Sequence, residues 1–68
     1  MVRLEMKVGE YAVNALFETI EQCIAVAEAE RLTTAGQRIT GCRVFAYPGG
    51  HLLAERGEDG QWQRVLGA

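Results

Sequence analysis

The sequence predicts an α+β domain: one long helix packed on a four-stranded, mainly antiparallel sheet, in the order β-α-β-β-β. Three observations predict it. Val2, Leu4, Met6 and Val8 alternate with Arg3, Glu5 and Lys7, the period of a half-buried strand. An alanine-rich amphipathic stretch follows, from about Asn14 to Ala35. Two turn signals, Tyr47-Pro48-Gly49-Gly50-His51 and Gly57-Glu58-Asp59-Gly60, then divide the last third into three short strand-like runs.

A chain of 68 residues makes one domain, spanning residues 1–68. A core of this size contributes only about 3–5 kcal/mol without a staple, a metal or a partner. Hydrophobic residues at 49% and charged residues at 24% describe a folded globule and not a disordered chain. Net charge is −2 and the isoelectric point about 5.2, which argues against a general polyanion binder. Apolar runs fall well short of the roughly 20 residues that span a bilayer. No basic region leads into an apolar signal segment. No membrane contact and a cytoplasmic location are therefore expected.

The first strand ends at Gly9-Glu10. Tyr11 to Asn14 reads equally as loop, strand extension or first helical turn. The helix is expected from Asn14 or Ala15 to about Ala35. Asn14 would be its N-cap, accepting from amides of the first turn, and Gly36 its C′ residue. Val13, Leu16, Phe17, Ile20, Cys23, Ile24 and Ala27 fall on one stripe at 100° per residue. Glu18 and Glu21 lie roughly opposite, and with Glu28 they give the helix an acidic back. Arg31 falls at the end of the apolar stripe, where its stem can snorkel.

Cys42–Tyr47, His51–Arg56 and Gln61–Leu66 are the expected strands of a meander. Pro48-Gly49-Gly50 suits a three-residue loop, and Asp59-Gly60 is a strong hairpin dipeptide. A three-residue loop pairs Phe45 with Leu53 and Arg43 with Glu55, and the opposite charges of the second pair favour that register. Cys42, Val44, Ala46, Leu52, Ala54 and Val65 then face the helix. Arg3, Lys7, Arg43, Phe45, Tyr47, His51, Leu53, Trp62, Arg64 and Leu66 fall on the outer face, with Glu5 and Glu55. This holds for a two- or four-residue loop at Asp59-Gly60. A five-residue loop moves Trp62 to the core side.

The aromatic and arginine residues of that outer face are the strongest functional signal, because interface cores are enriched in Trp, Tyr, Phe and Arg. The contact residues read from it are Arg43, Phe45, Tyr47, Leu53, Trp62 and Arg64. The plainer alternative puts Trp62 and Phe45 in the monomer core. Catalytic chemistry lacks a constellation: Cys42 and His51 fall on opposite faces with no third orienting group. Pro48-Gly49-Gly50 joins two strands and lacks the Lys-Ser/Thr ending of a phosphate loop. Two cysteines and one histidine do not make a metal set, and no cofactor is implied. Cys23 and Cys42 read as reduced, buried small hydrophobes, with a helix-to-sheet bridge as the alternative.

Four segments carry a family resemblance. They are Ala25-Val26-Ala27-Glu28-Ala29-Glu30-Arg31, Thr40-Gly41-Cys42-Arg43-Val44, Gly50-His51-Leu52-Leu53-Ala54 and Glu58-Asp59-Gly60-Gln61-Trp62. With the order of elements, they resemble small phage-encoded anti-CRISPR proteins acting on type I systems, notably certain type I-F inhibitors. The resemblance implies a non-enzymatic inhibitor in the bacterial host cytoplasm. Such an inhibitor would dock on the crRNA-guided surveillance complex, on its backbone subunits, and obstruct target DNA binding. It also implies that basic residues can face DNA. The cations placed for this by the face reading, not by a family motif, are Arg43, Arg56 and Arg64, with Arg3 and Lys7 beside them. Two other readings stay open: a homo-oligomeric accessory domain of a phage or mobile element, as a homodimer, and a small nucleic-acid binder stacking bases on the aromatic face.

Overall fold

The computed structural model describes residues 1–30, 36 and 38–65. The first strand, β1 (Val2–Val8), alternates as expected, with Val2, Leu4, Met6 and Val8 buried. Gly9-Glu10 does not end a unit. It is a two-residue hairpin turn joining β1 to a second strand, β2 (Tyr11–Phe17), in register from Val8↔Tyr11 to Val2↔Phe17. Gly9 has φ of 59° and Glu10 does not have positive φ, as a type II′ turn requires.

β2 replaces the expected first turns of the helix. The spacing of Val13, Leu16 and Phe17 imitates a helical stripe. Direct pairing of all seven residues with β1 overrides that local pattern, since Tyr, Val and Phe favour a pleated surface. The helix, α1 (Ile20–Ala29), is therefore short. Its N-cap is Thr19 and not Asn14. Gln22 N–H donates to Thr19 Oγ1 at 3.2 Å, and the Gln22 side-chain oxygen accepts from Thr19 N–H at 3.2 Å and from Glu18 N–H at 2.9 Å. This is a reciprocal capping box. The helix ends at Glu30, which is extended (φ −112°, ψ 97°), so Gly36 is not its C′ residue. The expectation for Arg31 lies outside the described residues, as does that for Leu66. No helix among the described residues is long and apolar enough to cross a membrane.

The meander follows as β3 (Gly41–Ala46), β4 (Leu52–Arg56) and β5 (Trp62–Arg64). All pairings are antiparallel, in the order β2-β1-β3-β4-β5. The sheet thus has five strands, where four were expected. Arg43 faces Glu55 as expected, but Phe45 faces Leu52 because the register shifts between Val44 and Phe45. Five residues separate Arg56 from Trp62, the loop length that sends Trp62 to the core side.

One sheet face is covered by α1. Cys23 and Ala27 of the helix meet the inner residues of β1 with Ile39, Cys42, Val44 and Ala54, and Phe17, Ile20, Val26, Leu53 and Trp62 pack around them. Small residues at Cys23, Ala27 and Ala54 let helix and sheet approach closely. Val65, expected in this core, is exposed. Neither cysteine forms a disulfide, and both are buried. Burial pushes the Cys23 thiol up from its ordinary value, which keeps it protonated and unreactive. Both thiols should resist a thiol-reactive dye in the native protein and react fully in denaturant. Rapid labelling of either without denaturant would contradict this core.

Candidate functional site

Cross-strand partners share a face, so the register assigns every candidate residue to a side. Trp62 faces Arg56, which faces Cys42; Arg64 faces Ala54. Trp62, Arg64 and Arg56 are therefore on the helix side, together with the buried core. The expected contact set is divided: Arg43, Phe45 and Tyr47 remain on the outer face, Trp62 and Arg64 do not, and Leu53 is half-buried against the core.

The helix-side residues form a clamp. Arg56 is only 4% exposed. Its Nη1 donates to the Ala27 carbonyl at 3.0 Å and lies 3.6 Å from Glu28 Oε1. The same Glu28 oxygen accepts from the Trp62 indole Nε1–H at 2.6 Å. The Arg56 guanidinium lies 5.7 Å from the Trp62 ring centroid, within cation–π range. Ala27 is in the last turn of α1, where carbonyls lack helical donors and the dipole favours a cation. No basic residue of the helix occupies that turn, and Arg56 supplies the cation from β4. At the other end of the helix, Arg64 Nη2 lies 3.1 Å from Glu21 Oε1.

Arg56 is thus an internal anchor and is not among the exposed cations. Glu21 and Glu28 are not a bare acidic back; both are engaged from the sheet. Glu21 has its carboxyl lowered by a hydrogen bond from its own backbone N–H and then by Arg64. A lowered folded pKa contributes stability above the ordinary carboxylate range and loses it as pH falls through the folded value.

The outer face carries two cross-strand rows. One runs Leu16–Arg3–Phe45, and the other Asn14–Glu5–Arg43–Glu55–Gln63. The Arg3 guanidinium stacks 4.4 Å from the Phe45 centroid, donates to Asn14 Oδ1 and lies 3.6 Å from Glu5. Arg43 lies 3.6 Å from Glu55. Tyr47 N–H donates to the Met1 carbonyl at 3.1 Å, continuing the β1–β3 register beyond Val2. Met1, Leu16 and Tyr47 are exposed, so one end of this face is an apolar and aromatic patch around Arg3. Lys7 is exposed at the opposite end, across from Gly41 and Ala12. The helical spacing of Leu16 hides its place in this patch from the sequence.

A shallow polar depression of about 370 Å³ opens between Glu5, Lys7, Arg43, Glu55 and Glu58. Its walls carry both signs of charge. His51 is exposed in the β3–β4 turn, whereas Cys42 is buried on the helix side. Among the described residues, no group of three or more His, Cys, Asp or Glu could hold a metal ion. The chain matches no known protein family, no curated protein and no solved structure.

The clamp and the outer ion pair should respond differently to truncation. Arg56→Ala should cost about 1.5–3 kcal/mol, the range for a hydrogen bond involving a charged group. Arg43→Ala should cost less than about 1 kcal/mol, as for an exposed pair. Urea unfolding of both variants measures the difference, and equal costs would remove the anchoring role of Arg56.

Proposed function

We propose that this protein is a non-enzymatic binding protein that works by docking the outer face of its sheet on a macromolecular partner. The observation that carries this reading is the exposed patch of Met1, Leu16 and Tyr47 around the Arg3–Phe45 stack. Apolar and aromatic surface around a partly desolvated arginine is the composition of interface hot spots. The helix side is occupied by its own helix, which leaves the outer face for a partner.

The partner class is taken from the resemblance to type I anti-CRISPR proteins. In this reading the protein docks on backbone subunits of a crRNA-guided surveillance complex in the bacterial cytoplasm and blocks target DNA by occlusion. Arg43, Phe45 and Tyr47, with Arg3, form the contact. DNA contact is secondary: Lys7 and Arg43 are the exposed cations of this face, and Glu5 and Glu55 offset them.

The test is co-elution with purified type I-C and type I-F surveillance complexes, followed by a target-DNA binding assay. Wild-type protein should co-elute and prevent DNA binding. Phe45→Ala and Arg43→Glu should weaken this by about tenfold or more, as hot-spot truncations do, and Arg64→Glu, on the helix side, should have a far smaller effect. No co-elution with either complex would reject this partner. Loss on Arg64→Glu with Phe45→Ala neutral would reject this face.

A further inference from the structure

The two edges of the sheet are unlike. β5 is short, Trp62–Arg64, and polar, the usual protection of an edge against pairing. β2 has seven residues, Tyr-Ala-Val-Asn-Ala-Leu-Phe, with no charge, no proline and no glycine. Its side chains stay open on both faces: Tyr11 is 70% exposed, Val13 47% and Leu16 46%. An uncharged edge of this length is a template for another strand.

Its free main-chain groups can be assigned. Thr40 N–H donates to the Lys7 carbonyl and Tyr47 N–H to the Met1 carbonyl, so the odd-numbered residues of β1 bond towards β3. The even-numbered residues bond towards β2, to their partners Tyr11, Val13, Ala15 and Phe17. In an antiparallel ladder the intervening residues point their groups the other way. Ala12, Asn14 and Leu16 therefore offer their N–H and C=O groups to the open edge.

We infer that the β2 edge pairs with the same edge of a second copy, antiparallel, about a two-fold axis at Asn14. In this register Asn14 faces its own symmetry mate and Ala12 faces Leu16 of the other copy, as hydrogen-bonded pairs. Every outward N–H and C=O of Ala12, Asn14 and Leu16 finds a partner. Tyr11 then faces Phe17 and Val13 faces Ala15 as non-hydrogen-bonded pairs, whose side chains approach most closely. All four are on the helix side, so like face meets like face. A one-residue slip would mix the faces, and larger shifts leave an end of the strand unpaired.

A second copy is the occupant because the strand is complementary to itself in length, register, face and charge. The contact is isologous, and the protected β5 edge stops growth at two. Two five-stranded sheets join into one, with both outer faces on the same side. The inference is independent of the surveillance-complex reading. The interface is small, so the dimer is weak and concentration-dependent.

Sedimentation velocity from about 1 µM to about 1 mM protein tests it, with circular dichroism to verify folding. Wild type should pass reversibly from monomer to dimer. Asn14→Lys sets two ammonium groups face to face on the axis, while within each copy the new lysine faces Glu5. It should raise Kd by up to about fivefold. Ala12→Pro removes an outward N–H, a change edge strands tolerate, and should abolish the dimer with the fold retained. Asn14→Cys should cross-link to itself on mild oxidation, and Val13→Cys should not, because only residue 14 meets its own mate. Wild type monomeric throughout would overturn the proposal, as would a dimer whose Kd neither substitution changes. Cross-linking at residue 13 in preference to 14 would overturn the register. Should either substitution unfold the chain, the cross-linking pair decides.

Discussion

Arg56 puts a permanent charge inside a domain with little interior to hold it, and the rest of the structure is arranged around that fact. A buried guanidinium needs both charge compensation and hydrogen-bond acceptors. The Ala27 carbonyl and the Glu28 carboxylate supply them from the last turn of α1, and the Trp62 ring covers the site from β5. A ten-residue helix is shorter than isolated helices need to persist in water. β4 delivers a donor, Arg56 Nη1, to the Ala27 carbonyl in its last turn. The same contact ties β4 to the end of the helix.

This arrangement decides which surfaces are left for partners. On the helix side, β4 and β5 give their long polar side chains to the helix: Arg56 and Trp62 to its end, Arg64 to Glu21. Among the described residues, the outer face has no such cover. Its central row of alternating charges, Glu5–Arg43–Glu55, suits solvent, and its apolar content gathers at one end around Arg3 and Phe45. The β2 edge is a second open surface of different character, defined by main-chain groups and uncharged side chains. A domain with a small core gains from covering either.

Strand alternation was legible wherever one face is buried and the other is not. β1 and the Arg43–Glu55 register followed from that pattern directly. The fold class followed too, but not the strand count. β2 was hidden because Val13, Leu16 and Phe17 have the spacing of a helical stripe, and because its partner strand is not a local property. Gly9-Glu10 held the correcting signal, since a glycine opening a two-residue gap between apolar runs is also a hairpin turn. Thr19 with Gln22 three residues later is a capping signature that competes in the sequence with Asn14. The face of Trp62 and Arg64 turns on the length of one loop: an odd rather than an even count moves both to the helix side. Arg56 could not be read as buried, because its acceptors belong to a helix 29 residues away in sequence.

The clamp can be observed directly through the single tryptophan. In proton NMR, the Trp62 indole N–H should be protected from solvent exchange by its bond to Glu28, and Glu28→Gln, which removes the charge from the acceptor, should speed that exchange while the fold persists. An indole proton that exchanges freely in the wild type, at a rate indifferent to Glu28→Gln, would place Trp62 away from the helix and contradict the division of the sheet into a helix-covered side and an open side.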